Sequence, residues 1–320
     1  MIEKIVNMPK VELHLHLDGS VSIPLLSKLS GLSEEVVKDK VVSDNANNLG
    51  EYLSCFDFVN EYLQTKENLK LASYDLKERL KKENVIYAEV RFAPISHIEG
   101  GLTFDEVVEA VLSGLSDDKI KINLILCLRR GFSFEDNIEI IKLANRYLNK
   151  GVVAVDLVGD ENKYPFCDYA YFFKVCQSAN IPFTIHAGEA DKRDLYDVIN
   201  YTKRIGHGIK AIQDDKLMQK IKDNDILLEV CPKSNIDTKN ALNYSTHPIK
   251  ALYDYGINVS ISTDNMTVSN IDLIGEYVNL HEAFHFTLND FKKMNIMAIN
   301  HAFLTKKEKD ELINIIKDYN

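Results

Sequence analysis

Eight times along the chain, a short run of β-branched and apolar residues is followed by a longer stretch with apolar residues at helical spacing. The runs fall at residues 11–15, 85–92, 120–128, 152–157, 181–186, 204–207, 226–230 and 257–262. This alternation is the pattern of βα units around a parallel sheet. Several runs are apolar almost throughout, as strands covered on both faces are. Eight such units predict an α/β fold, a closed (β/α)8 TIM barrel rather than an open sheet. The chain has 320 residues, 45% of them hydrophobic. That is enough for a large core, and it suits a single barrel domain spanning residues 1–320.

Helical stretches are expected at 67–84, 136–148, 169–179, 192–201, 215–223 and 248–255. Thr103 to Glu106 forms a capping box that opens another. Two parts break the alternation. Residues 21–63 read as a helical insertion after strand one, which in a barrel lies over the catalytic end. Residues 45–65 are a candidate lid, with Leu53, Phe56 and Phe58 either facing the substrate or packing the insertion onto the barrel. Residues 271–320 read as a C-terminal helical extension, with a second capping box from Thr305 to Glu308.

The formal net charge of -10 argues against a nucleic-acid partner. No apolar run reaches the roughly 18–20 residues needed to cross a bilayer. Residues 1–9 carry Glu3 and Lys4 and lack an apolar signal core, so a cytoplasmic location is expected. No segment points to a protein partner. The five cysteines are odd in number and form no CxxC pair. They are expected to be reduced and mostly buried, not a disulfide framework or a thiolate metal site.

In a barrel, working residues lie at the C-terminal ends of strands. Strand one ends in His14-Leu15-His16, whose two imidazoles point the same way. Strand five ends in His186, followed by Ala187-Gly188-Glu189. Strand six ends in His207 between two glycines, and strand eight in Thr263-Asp264. Neutral imidazoles and a carboxylate are good ligands for Zn²⁺ and related divalent ions. Such an ion lowers the pKa of bound water toward roughly 7. His14, His16, His186 and Asp264 are the expected ligands. Glu189 is placed to donate or take a proton, and His207 to orient the water and accept its proton.

These residues lie in stretches that resemble the adenosine deaminase family of metal-dependent amidohydrolases. The stretches are PKVELHLHLDG at 9–19, DLVGDE at 156–161, HAGE at 186–189, GHG at 206–208 and STD at 262–264, with a weaker match at 89–94. They occur in family order. The resemblance implies a zinc-binding (β/α)8 barrel that hydrolyses the 6-amino group of adenosine or deoxyadenosine to ammonia, a purine salvage reaction. It implies that Glu189 protonates purine N1 and that His207 assists attack at C6. The backbone N–H of Gly159 would contact N3, Asp18 would reach the ribose hydroxyls, and His16 would border the substrate as well as the metal. Where many members carry a second aspartate contacting N7, this chain has Asn265, whose amide can donate to N7 without a proton of its own.

Other readings are adenine or methylthioadenosine as substrate, a related amidohydrolase on another amine or ester, and a non-catalytic metal-binding barrel. The intact Glu189 and His207 argue against the last. AMP is disfavoured because no dense basic cluster lies near the strand ends. His281 to His285 matches the HExxH pattern of zinc proteases. It lies after strand eight, where a barrel places an outer helix, and it is expected to be packing or surface.

Overall fold

The computed structural model describes residues 1–43, 49–117 and 119–319, except for the side chains of 49–51 and 53. All eight expected strands are present: β1 (Lys10–His16), β2 (Val85–Phe92), β3 (Lys121–Arg129), β4 (Val152–Val158), β5 (Ile185–Ala187), β6 (Arg204–His207), β7 (Leu227–Val230) and β8 (Asn258–Ile261). They pair in parallel as two four-stranded halves. Two seams close the ring. Val155 N–H donates to Pro182 O at 3.0 Å and Thr184 N–H to Val155 O at 3.1 Å, joining β4 to the approach of β5. His16 N–H donates to Asp264 O at 2.7 Å and Asp264 N–H to His14 O at 2.9 Å. The second seam joins β1 to the segment after β8, so it brings three expected metal ligands together through backbone bonds alone.

β5 is shorter than its apolar run. Pro182 has no N–H to give a ladder, and regular pairing starts only at Ile185. The helix expected at 192–201 is reduced to Leu195–Val198. The loop before it is drawn away: the N–H groups of Gly188, Ala190 and Asp191 all donate to the Glu161 carboxylate.

On β1, Lys10, Glu12, His14 and His16 alternate with Val11, Leu13 and Leu15, as strand geometry requires. Val11 and Leu13 pack with Tyr87, Ala298, Ile299 and Ile316, which anchors the C-terminal extension. Each such apolar side chain contributes about 1.5–3 kcal/mol on burial. The extension comprises Leu273–Phe284, Leu288–His301 and Lys306–Asp318. Its last two helices open on capping boxes, at Thr287/Asp290 and Thr305/Glu308. The insertion comprises Ile23–Ser30, Glu34–Val41 and Leu49–Tyr62. No helix among the described residues is long and apolar enough to cross a membrane.

The protease-like pattern is dismantled by the backbone. His281 lies in the helix Leu273–Phe284, with its Nδ1 2.8 Å from Phe286 O. His285 is the C-cap of that helix at φ 59°, in the left-handed region. The chain has left the helix there, so the two rings do not share a face.

Candidate active site

The ends of β1 and β5 and the residue after β8 converge as expected. Among the described residues, one donor atom each from His14, His16, His186 and Asp264 lie within 4.8 Å of one another. His16 Nε2 is 3.3 Å from His186 Nε2 and 3.4 Å from Asp264 Oδ1. His14 Nε2 is 3.5 Å from the same oxygen, is buried, and has no hydrogen-bond partner. Ligands about 2.1 Å from a shared tetrahedral ion stand roughly 3.4 Å apart. The spacing, the nitrogen-rich donor set and the orphaned Nε2 therefore fit one divalent cation. Cys231 also lies near Asp264 and His207. Burial holds its thiol well above the usual range.

The rings are aimed by buried partners on their far sides. His14 Nδ1 is 3.0 Å from Glu229 Oε2, and His186 Nδ1 is 2.8 Å from Asp156 Oδ2. Arg91 donates to both carboxylates, at 2.8 Å to Glu229 and 2.6 Å to Asp156. Burial opposes ionisation of Asp156, but His186 and Arg91 outweigh it and hold the carboxyl well below the usual range. Gly206 leaves room for two of the rings. A Cβ there would stand 3.0 Å from His14 Cε1 and 3.2 Å from His186 Nδ1. His207 and Asp264 both have left-handed backbone, at φ 64° and 60°. Such conformations cost about 1–3 kcal/mol each in non-glycine residues and cluster at functional sites.

Glu189 and His207 face the same centre. His207 Nε2 is 3.6 Å from Glu189 Oε2 and 4.0 Å from Asp264 Oδ2. Thr238 Oγ1 donates to Glu189 Oε1 at 3.1 Å, and Ser234 Oγ to Asp264 Oδ2 at 2.5 Å. Burial first, then the charges of Asp264 and Glu161, push the Glu189 carboxyl up to about 8. It is therefore a protonated acid at neutral pH. Burial, then the His14 ring, holds the His207 imidazole well below its ordinary value and so neutral.

A cavity opens in front of this group, and His16, His186, Glu189, His207 and Asp264 line it. Asp18, Gly159 and Asn265 line it too. Asp18 Oδ1 is buried without a partner, and burial pushes that carboxyl up to about 6. Gly159 sits at φ 111°, a backbone conformation that exposes its chain to the cavity without strain. Asn265 Nδ2 donates to Tyr52 Oη at 2.8 Å, while Asn265 Oδ1 has no partner. All nine expected site residues thus gather at one end of the barrel.

Of the candidate lid, residues 45–48 and the Leu53 side chain lie outside the described residues. Phe56 lines the cavity, together with Tyr52 and Asn60. Phe58 does not face it: two residues further round the helix, it packs against the core, its ring 5.1 Å from Tyr62. Sequence reasoning missed Arg129 and Tyr52 in the lining, and Glu229, Ser234, Asn235, Thr238 and His247 behind it. Glu229 carried a usable signal, since a charge inside an apolar strand run needs a buried partner.

The family model described as Adenosine deaminase matches residues 9–319. The chain is 38% identical to the adenosine deaminase of Clostridium acetobutylicum, with 98% of each chain covered. Among solved structures, the N6-methyl-AMP deaminase of Arabidopsis thaliana superposes with a TM-score of 0.88 at 25% identity, covering 99% of this chain and 98% of that one. A zinc-containing amidohydrolase of Burkhoderia ambifaria shares the fold, with a TM-score of 0.88 at 19% identity over 99% of this chain and 94% of that one. A match running from the approach to β1 through the last helix, with near-complete mutual coverage of a curated relative, places the chain in the adenosine deaminase family.

Proposed function

We propose that the chain hydrolyses adenosine and deoxyadenosine to inosine and deoxyinosine, releasing ammonia, with one Zn²⁺ held by His14, His16, His186 and Asp264. The observation that carries this reading is the largely buried Glu189 carboxyl, set beside a four-donor cation site in the same cavity. An ion there supplies a water whose pKa falls from about 15.7 toward roughly 7, a nucleophile at neutral pH. Glu189 donates its proton to purine N1, which withdraws electron density from C6. The water oxygen bonds to C6 and the C6–N6 bond breaks. Of the protons of that water, one leaves with the amino group as ammonia and one restores Glu189. His207 faces the attacking oxygen through Nε2. The Gly159 N–H holds N3 and Asp18 holds a ribose hydroxyl. Asn265 Nδ2, with one hydrogen on Tyr52, keeps its other for N7. Tyr52 and Phe56 exclude water above the base.

A second reading, a nucleotide substrate, draws on Arg129 in the cavity lining and on the solved N6-methyl-AMP deaminase. Asp18 and Asp57 line the same cavity and oppose a phosphate there. The test is a panel of adenosine, deoxyadenosine, methylthioadenosine, adenine and N6-methyl-AMP on zinc-loaded protein. The two nucleosides should give the highest kcat/KM with stoichiometric ammonia. Absence of ammonia from every 6-aminopurine would overturn the reading.

A further inference from the structure

Behind His207 runs a buried chain of hydrogen bonds whose direction is fixed at its far end. Ile249 N–H donates to His247 Nδ1 at 3.1 Å. A backbone N–H can only donate, so Nδ1 of His247 must be the bare nitrogen. Burial pushes that imidazole down to about 3, so it is neutral and carries its one proton on Nε2. His247 Nε2 lies 3.3 Å from Asn235 Oδ1 and donates to it. The reverse amide orientation would set two donors against each other. The Asn235 amide nitrogen therefore faces His207, 3.1 Å from its Nδ1, and donates to it. With its Nδ1 lone pair taken by the Asn235 hydrogen, the His207 ring carries its own hydrogen on Nε2. That nitrogen faces Asp264 Oδ2 and Glu189 Oε2, the side from which oxygen attacks.

We propose that Asn235 and His247 are positioning residues that fix His207 as its Nε2–H tautomer, so that His207 donates a hydrogen bond to the attacking oxygen instead of taking its proton. The water protons go instead to the departing amino group and to Glu189, as in the reaction above. The role of this donor rests on the deaminase reading above; the tautomer does not. A fixed N–H aimed at the water oxygen stabilises the negative charge it takes on as its proton leaves, without reorganisation. The loop that carries Asn235 is the short helix Pro232–Asp237, and His247 comes from the turn before the helix Ile249–Tyr255. Neither residue lines the cavity.

The test is a long-range ¹H–¹⁵N spectrum of the ¹⁵N-labelled wild-type protein, metal-free and zinc-loaded, with His207 assigned by the loss of its signals in His207→Gln. The expected pattern is a bare Nδ1 and a protonated Nε2. A protonated Nδ1, or a doubly protonated ring, overturns the proposal. The spectrum needs no substrate, so it stands whether or not adenosine is deaminated. Asn235→Asp supplies a second reading of the same point. A carboxylate accepts from both neighbours, so it should move the His207 proton to Nδ1. The expected result is a fall in kcat of roughly 10²-fold, with KM little changed. If kcat is held or raised, His207 works through a bare Nε2 and the proposal fails.

Discussion

Glu229 Oε2 stands 3.0 Å from His14 Nδ1 and belongs to the same buried cluster as Arg91, which lies 2.8 Å from that oxygen. Asp156 stands in the same relation between Arg91 and His186. One guanidinium therefore holds the partners of two candidate ligands from opposite sides of the barrel. Arg91→Met leaves buried Asp156 without a guanidinium partner and Glu229 with Arg204 alone. It should cost about 3–5 kcal/mol in denaturant unfolding and weaken zinc binding about 10- to 100-fold by chelator competition. Normal zinc affinity in a destabilised variant would detach Arg91 from the site.

Glu189→Gln keeps the shape of the acid and removes its proton. Turnover of adenosine should fall by about 10²- to 10⁴-fold, the usual worth of a general acid. Metal content, measured by mass spectrometry, should stay at one ion per chain. Retention of most activity would exclude N1 protonation by this residue.

The raised Glu189 carboxyl gives two pH signatures. Activity needs the protonated form, so kcat/KM should decline as pH rises through about 8. Stability of the metal-free protein also falls with pH, but over a lower window. Between the ordinary carboxyl value of 4.5 and about 8, the unfolded chain ionises at this position and the folded chain does not. The group therefore destabilises the fold progressively across that window. Metal-free Glu189→Gln should be more stable than wild type at pH 8 and equal to it at pH 4. Equal stability at both values would mean the carboxyl is not buried in its neutral form.

Asn265→Ala removes the amide from the cavity and strips Tyr52 Oη of its donor. We expect kcat/KM for adenosine to fall about 5- to 150-fold, the cost of leaving a buried polar partner unmade. Zinc content should be unchanged. An unaltered kcat/KM would mean that N7 is read elsewhere.

The barrel and its working rim were legible because both obey short-range rules. Strand periodicity put His14 and His16 on one face, and strand-end position picked out His186, His207 and Asp264 from nine histidines and many acids. What the sequence hid is set by contacts between distant segments. Asn235 and His247 sit 28 and 40 positions after His207, on elements with no periodic signal, and only folding brings them behind that ring. The sequence left Phe56 and Phe58 open between cavity and core, and the fold divides them, Phe56 to the cavity and Phe58 to the core, because a helix face cannot be assigned before the helix is docked. The short β5 was misjudged because Pro182 counts as apolar in a run but has no N–H to donate to a ladder.

The most direct test of the central claim is an anomalous difference map at the zinc edge, from crystals of the zinc-loaded protein. One strong peak per chain is expected, within bonding distance of His14 Nε2, His16 Nε2, His186 Nε2 and Asp264 Oδ1, and no peak in Asp264→Ala. A zinc peak bound elsewhere, or none at the barrel rim in protein that turns over adenosine, would contradict that claim.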